Sequence, residues 1–385
     1  MATSKPAQTS GTPFVNEVRL NARQWTAVLT ILVAVTLLTP PLWKKAEQFE
    51  TGADYRIPYS LSKDYWLYER RLQQVAATNI IVLGDSVVWG EYVRLNGTLS
   101  HFLNEQAGQP GKFMNAGVNG LFPLALEGLV RYYGTPLNHR KVILHCNVLW
   151  MTSPKADLST TKEERFNHVD LVPQFAPRIP CYKADLNQRL GAIVERHFIF
   201  SQWATHLQST YFGQKSLVSW TLEEDGNDPP LHPNVYKNPF EQITLNVPSE
   251  PADDPERGSS SPRHKPWSTT GEGSTRFEWV ELNRSLQWAA FQRLVKLLQL
   301  RGNDVLILLG PFNEHIMAEE NHPAFRRTRD GIRAWLMKNQ VTCLVPEPLP
   351  SQLYADASHP LTEGYQLLAN RIHTDALFQR WMNGR

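Results

Sequence analysis

The sequence predicts an α/β protein, a three-layer α/β/α sandwich around a parallel sheet, with one transmembrane helix at its N-terminus. Two observations predict the sheet: short runs of β-branched and apolar residues recur along the chain, and stretches of helical length separate them. Parallel neighbouring strands need such crossover segments, which are usually helices. A third observation, an uncharged apolar run near the start of the chain, predicts the transmembrane helix.

The first element is this uncharged run, from Trp25 to Trp43, which reads WTAVLTILVAVTLLTPPLW. It is just long enough to span a bilayer, and tryptophan at both ends suits the membrane interface. A cleaved signal peptide is the competing interpretation, but its apolar stretch is usually shorter and ends in a small-x-small site. We therefore expect a tail over residues 1–24 and an uncleaved anchor over residues 25–43. Basic residues on both sides are balanced and leave its orientation open.

A linker over residues 44–78 follows, with a connecting helix over 63–76. The alternating pattern then begins and predicts five strands of a flavodoxin-like sheet. The strands are expected over residues 79–84, 112–115, 141–146, 304–309 and 341–344. Helices are expected over residues 92–106, 123–133, 278–300, 323–338 and 362–381.

Residues 154–275 interrupt the alternation and are predicted to be an insertion, partly disordered. Residues 248–262 are composed like a disordered loop, being rich in proline, serine and acidic residues. Aromatic residues in the earlier part of the insertion favour a helical cap. Such a cap would line a substrate groove or, more commonly for residues of this kind, cover the sheet edge or pack near the membrane.

The composition excludes several function classes. Lys and Arg total 39 against 37 Asp and Glu, a formal charge of +2 that gives no long-range field for recruiting nucleic acid. The three cysteines form neither a C-x-x-C pair nor a Cys/His cluster with zinc spacing. The sequence therefore indicates no metal, no cofactor and no disulfide framework.

Polar residues follow the predicted strands at the edge where parallel α/β sheets bind ligands, beyond the carboxyl ends of the strands. Ser86 follows the first strand, and Asp356 and His359 follow the fifth. A serine hydroxyl becomes a strong nucleophile when an imidazole takes its proton, and a carboxylate holds that imidazole in the correct tautomer. We therefore expect Ser86 to act as nucleophile, His359 as base and Asp356 as the group that orients the base.

Acyl transfer also needs hydrogen-bond donors directed at an oxyanion. The candidate donors are the backbone amides of Ser86 and Gly117 and the side chain of Asn147, since the last two follow the second and third strands. Asn119 and His315 are candidate substrate contacts.

These residues resemble the conserved blocks of the SGNH (GDSL) hydrolase family, in the same order. The matching segments are Gly84-Asp85-Ser86 with Gly90, Asn115-x-Gly117 with Gly120, Asn147, and Asp356-x-x-His359-Pro360. The resemblance covers residues 79–150 and 304–372, and it implies the same roles for Ser86, Gly117, Asn147, His359 and Asp356. It implies an SGNH-like catalytic domain made of residues 79–153 and 276–385.

The third block departs from the family pattern, because the usual Gly-x-Asn-Asp reads His145-Cys146-Asn147-Val148. A Gly-x-Ser-x-Gly nucleophile elbow is absent, since Val88 occupies the second glycine position, and this argues against the α/β-hydrolase fold.

The sequence thus predicts a single-pass membrane esterase with an extracytoplasmic catalytic domain and an acyl-ester substrate, such as an acetylated carbohydrate of the cell envelope. Two alternatives stay open: an O-acyltransferase with the same triad, and a non-catalytic binding or assembly subunit of an envelope complex.

Overall fold

In a computed structural model of the protein, each described strand pairs in parallel with its neighbours. The structure describes residues 20–49, 51–212, 244–245 and 271–384. In chain order the strands are β1 (Gln48–Phe49), β2 (Ile80–Gly84), β3 (Phe113–Gly117), β4 (Lys141–Cys146), β5 (Thr244–Leu245), β6 (Asp304–Leu309) and β7 (Thr342–Leu344). Five of them form one sheet in the order β3-β2-β4-β6-β7, and β1 and β5 form a separate pair. The five predicted strands and their parallel arrangement are confirmed.

The central sheet is buried on both faces, which explains why its strands read as continuous apolar runs. Successive side chains of a strand point to opposite faces. Ile81 and Leu83 of β2 accordingly join one apolar cluster, whereas Ile80 and Val82 join another.

The α-helices of the described ranges are α1 (Ala22–Ala46), α2 (Tyr65–Gln73), α3 (Ser86–Trp89), α4 (Leu99–Ala107), α5 (Pro123–Tyr133), α6 (Leu186–His197), α7 (Ile199–Thr210), α8 (Leu286–Leu300), α9 (His322–Lys338), α10 (Thr362–Thr374) and α11 (Ala376–Met382). Helices α2, α5, α8 and α9 contribute to the first cluster, and α4, α10 and α11 contribute to the second.

Three predicted helices differ most from the structure in their bounds. The helix expected over 92–106 begins only at Leu99, because Tyr92 has a φ of 67° and a 3-10 turn occupies Leu95–Gly97. The helix expected over 278–300 begins at Leu286, where the Ser285 side chain caps it by accepting from the Trp288 amide. The helix expected over 362–381 is two helices, since Asp375 caps a new one.

In the part of the insertion that the structure describes, α6 and α7 are the helices. Helix α7 contacts both α1 and α2, so the cap expected in this region packs beside the N-terminal helix. The expected disorder of residues 248–262 lies outside the described residues, as does most of the expected tail.

Helix α1 is long and apolar enough to span a membrane. It has 25 residues, and its most apolar window has a mean hydropathy of 1.8 with only 6% of that window buried. Its C-terminal end behaves differently from the rest, because Trp43 is 4% exposed and packs edge-on against Trp203 and Tyr211. The end of the apolar helix is therefore part of the folded domain.

Candidate active site

The turn after β2 presents the Ser86 side chain at the carboxyl edge of the sheet. β2 ends at Gly84, Asp85 is the N-cap of α3, and Ser86 is the first helical residue. Because first-turn amides of a helix have no partner within it, the Ser86 amide also faces outward from the helix start. The hydroxyl and the amide of one residue are thus presented together.

His359 and Asp356 meet Ser86 from the other end of the chain. His359 Nε2 lies 2.8 Å from Ser86 Oγ, and His359 Nδ1 lies 2.7 Å from Asp356 Oδ2. The Asp356 carboxylate also accepts hydrogen bonds from the Ser358 and His359 amides, which fix its position. All three predicted side chains are therefore brought into one hydrogen-bonded chain, within the distance that proton abstraction requires.

The surroundings of the imidazole favour its charged form. Burial lowers the pKa of His359, but the hydrogen bond and charge of Asp356, together with the charges of Glu91 and Asp85, outweigh burial and raise that pKa above its usual value of 6.5. Burial raises the pKa of Asp356, and its bonds to His359 and two amides bring that pKa below its usual value. The pair can hold a proton taken from Ser86.

Asp85, which precedes Ser86, is the centre of a buried hydrogen-bond cluster. Its carboxylate lies 3.1 Å from His145 Nδ1 and accepts from Asn147 Nδ2 at 2.8 Å and Trp150 Nε1 at 2.9 Å. Burial raises the pKa of Asp85, but the attraction of His145 and these hydrogen bonds outweigh it and hold the pKa well below its usual range. The altered third block thus supplies partners to the residue that caps α3.

The structure does not bring the Gly117 amide to an oxyanion position. Its N–H donates to Asn115 Oδ1 at 3.0 Å. A side chain at position 117 would also meet the Trp89 backbone nitrogen at 2.3 Å. Glycine is required here because α3 packs directly on the end of β3, so Gly117 has a steric role instead of the expected donor role.

Gly120 is better placed than Gly117. It lines the cleft that contains Ser86 and His359, and its amide makes no hydrogen bond to any residue that the structure describes. Its φ of 75° lies in the left-handed region that favours glycine. An added Cβ would also lie 2.6 Å from the Asn167 side chain, so a larger residue does not fit here.

The Asn147 side chain is also turned away from the expected position. Its Nδ2 donates to Asp85, its Oδ1 accepts from the Leu149 amide, and it is only 4% exposed. In this arrangement Asn147 orients Asp85 and is not a lining residue of the cleft.

The two candidate substrate contacts have different positions. Asn119 lines the cleft, and its buried Nδ2 has no hydrogen-bond partner among the described residues. His315 is exposed, and its Nε2 bonds to the Leu349 carbonyl oxygen. Asn119 therefore lies at the site. His315 does not, because the turn after β6 places it beside Leu349.

Several cleft residues gave no sequence signal. Glu91 Oε2 lies 3.5 Å from His359 Nε2, and the Tyr92 ring packs edge-on against the imidazole. Trp150 also lines the cleft. Glu91 and Tyr92 follow α3 within six residues of Ser86, and this nearness is the one sequence feature that could have suggested them.

The cleft has a volume of about 420 Å³ and continues into a second cavity of about 470 Å³, which we call the polar groove. Tyr59, Asn119 and Asn167 line both spaces. Farther along, the polar groove is lined by Lys63, Asp170, Glu195 and Gln208. Burial raises the pKa of Asp170 and of Glu195.

No family model matches this chain, and no curated protein matches it.

Proposed function

We propose that this chain is a membrane-anchored serine esterase of the SGNH type that removes an acyl group from a carbohydrate or another component of the cell envelope. One observation carries the proposal: the hydrogen-bonded series from Ser86 Oγ through His359 to Asp356, with distances of 2.8 and 2.7 Å. A nucleophile, a base and an orienting carboxylate in this geometry are the working parts of a serine hydrolase.

The sheet supports a flavodoxin-like, three-layer form of this fold. Numbered within the sheet, the strand order β3-β2-β4-β6-β7 is 2-1-3-4-5, which is the flavodoxin-like order. The two apolar clusters on opposite faces of the sheet fit the outer helical layers.

The proposed reaction has two halves. Ser86 Oγ attacks the ester carbonyl carbon while His359 Nε2 takes its proton, and the carbonyl oxygen becomes an oxyanion. When this intermediate collapses, the bond to the alcohol breaks, His359 gives its proton to the departing oxygen, and the acyl group stays on Ser86. Water then attacks the acyl carbon while His359 Nε2 takes its proton. The bond from the acyl carbon to Ser86 Oγ breaks, His359 returns the proton to Ser86 Oγ, and the carboxylic acid leaves.

We assign the oxyanion donors to the amides of Ser86 and Gly120 and to Asn119 Nδ2. The Gly120 amide and Asn119 Nδ2 lack partners among the described residues and belong to cleft-lining residues. Buried donors without partners are rare in proteins, and a ligand oxygen would satisfy them. Removing one such donor typically costs about 2.7–4 kcal/mol in the reaction barrier.

The linings of the two cavities support a short acyl group on a hydroxyl-rich alcohol. Near Ser86 the cleft offers Leu149 and Trp150 as apolar contacts. The polar groove offers an amine, carboxyl groups, hydroxyls and a side-chain amide, which suit sugar hydroxyls and do not suit a long acyl chain. The same groove would hold a sugar acceptor if the enzyme transferred the acyl group, so an O-acyltransferase is the second candidate.

The end of α1 supports permanent anchoring. Trp43 and Glu47 are buried in the domain, so cleavage near the end of the apolar helix would remove parts of its core. We further propose that the catalytic domain lies outside the cytoplasm, where envelope esters are found.

A fluorophosphonate probe tests the nucleophile in the full chain, reconstituted in lipid. We expect labelling of the wild-type protein and of the Ser62→Ala control, whose serine lines the polar groove, and no labelling of Ser86→Ala. Wild-type protein that is neither labelled nor active on a small aryl ester would contradict the proposal and favour a binding or assembly subunit.

The substrate class is tested with two substrates. Lys63→Ala and Gln208→Ala change exposed groove residues. We expect both to lower kcat/KM for an acetylated oligosaccharide and to leave that for p-nitrophenyl acetate unchanged. Equal effects on the two substrates would contradict a role for the polar groove, and acyl transfer to an added oligosaccharide in excess of hydrolysis would favour the acyltransferase.

A further inference from the structure

Helix α6 has a row of exposed apolar residues, although Ala192 is buried and Ile193 is half-buried. Leu186, Leu190 and Val194, spaced four apart, are 62%, 46% and 49% exposed. Phe198 and Ile199 extend this row at the junction with α7 and are also exposed. No exposed residue of α6 is Asp, Glu, Lys or Arg. A surface helix of a water-soluble domain normally has the opposite arrangement, with its apolar face toward the core.

Two arginines of α6 bond to the rest of the domain, so the direction of its exposed apolar row is fixed. Arg189 donates hydrogen bonds to the carbonyl oxygens of Tyr182, Gln174 and Ala184. Arg196 is buried, donates to Tyr132 Oη at 3.1 Å and lies over that ring at 4.8 Å. Rotating the helix to bury its leucines would break these bonds and leave a guanidinium without partners, which is costly in an interior.

The apolar face of α6 is continuous with the end of α1. Phe198 contacts Phe200 with ring centroids 6.2 Å apart, Phe200 contacts Trp203 at 5.1 Å, and Trp203 contacts Trp43 at 5.9 Å. Three ring contacts thus connect an exposed aromatic residue at the end of α6 to the last tryptophan of the apolar run.

A buried ion cluster fixes α1 relative to α7. His206 of α7 bonds through Nε2 to Glu47 at 2.8 Å and through Nδ1 to Asp64 at 2.7 Å. Tyr211 Oη and Trp43 Nε1 also donate to Glu47. Because Glu47 directly follows α1, this cluster fixes the end of α1 relative to α7. Helix α6 is joined to α7 at Phe198, so its exposed face also has a fixed orientation relative to α1.

We propose that the outward face of α6 and its continuation, formed by Leu186, Leu190, Val194, Phe198 and Ile199, lies in the interfacial layer of the bilayer that α1 spans. This inference rests on the membrane anchoring proposed above. Interfacial helices bury an apolar face about 5–10 Å into the boundary between headgroups and acyl chains. A second contact beside α1 would prevent the domain from swinging on its anchor. It would hold the polar groove, which α7 helps to line, at a set height above the lipid.

The experiment uses the full chain in vesicles of neutral phospholipid, with an environment-sensitive fluorophore on single introduced cysteines and nitroxide-labelled lipid as quencher. The positions are Leu190→Cys on α6, Leu32→Cys within α1 and Leu300→Cys at the far end of α8, where the native leucine is 85% exposed. The unsubstituted protein, which has three free cysteines, gives the labelling background.

We expect the quencher to remove about half or more of the emission at positions 32 and 190, because both would lie within the layer that an inserted helix reaches, and to leave position 300 unchanged. Quenching at 32 without quenching at 190 would overturn this inference and leave the anchor standing. Absence of quenching at both positions would instead refute the anchoring. A blue-shifted but unquenched label at 190 would show that protein covers the face, which also overturns the inference.

Discussion

His359 Nε2 lies 2.8 Å from Ser86 Oγ, although 273 positions separate the two residues in the chain. The parallel sheet explains the meeting, because Ser86 follows β2 and His359 follows β7, and both strands end at the same edge. The contact between Asp356 and His359 does not depend on the sheet, since the two residues are three positions apart in one turn. His359 and Asp356 are therefore a local unit, whereas Ser86 is brought to them by the fold.

Replacing the base should remove most of the activity. We expect His359→Ala to lower kcat/KM for a small aryl ester by at least about 100-fold, because general base catalysis typically contributes about 10²–10⁴-fold. His315→Ala is the matched control, since His315 is exposed and bonds to Leu349 away from the cleft. A loss of less than about tenfold with His359→Ala would mean that another group takes the proton.

The pH dependence should report the environment of His359. The base must be neutral to accept a proton, and its pKa is raised above 6.5 by Asp356, Glu91 and Asp85 against the effect of burial. The activity of the wild type should therefore rise with pH through this raised pKa. Glu91→Gln removes one raising charge and should move the acid limb of kcat/KM to lower pH. Glu319→Gln, an exposed carboxyl group elsewhere, should leave it in place. A limb unmoved by Glu91→Gln would contradict the 3.5 Å interaction.

Two asparagines near the site should have separable effects. Asn119 Nδ2 has no partner among the described residues, so Asn119→Ala should lower kcat by about 10²–10³-fold and cost little stability. Asn147→Ala should instead lower the free energy of unfolding by about 1–3 kcal/mol, because a buried charged acceptor, Asp85, loses a donor. Denaturant unfolding and steady-state kinetics on both variants distinguish these outcomes. Reversed effects would return the oxyanion role to Asn147.

The cluster at the exit of α1 should matter for stability more than for chemistry. His206→Leu leaves Glu47 and Asp64 buried without their shared partner, and breaking a buried ion pair in this way costs about 3–5 kcal/mol. Thermal unfolding in detergent measures the loss, and the exposed His197→Ala is the control. An unchanged Tm for His206→Leu would contradict the proposed fixing of α1.

The same cluster predicts how stability depends on pH. Burial alone would lower the pKa of His206, but Asp64 and Glu47 raise it to about 10, so its contribution is complete below 6.5 and is lost as the pH rises through 10. Burial alone would raise the pKa of Glu47, but His206, Tyr211 and Trp43 lower it to about 2, so its contribution is present above 4.5 and is lost as the pH falls through 2. The difference in Tm between wild type and His206→Leu should therefore shrink at both extremes.

The sequence alone determined the alternation of strands and helices and the apolar N-terminal helix. It also singled out Ser86, His359 and Asp356 as the side chains that meet at the edge of the sheet. These features are local. A few consecutive apolar residues indicate a buried strand, and the turn that follows such a strand lies at a known edge of a parallel sheet.

Only the tertiary structure decided which donors face the cleft and which face of α6 is exposed. The sequence predicts the Gly117 amide as a donor, but that amide bonds to Asn115 where α3 packs on β3, whereas Gly120 lines the cleft. The periodic leucines of α6 would ordinarily predict a face buried in the domain. Their exposure depends on the bond of buried Arg196 to Tyr132, 64 positions away, because a buried guanidinium must find an acceptor wherever the fold supplies one.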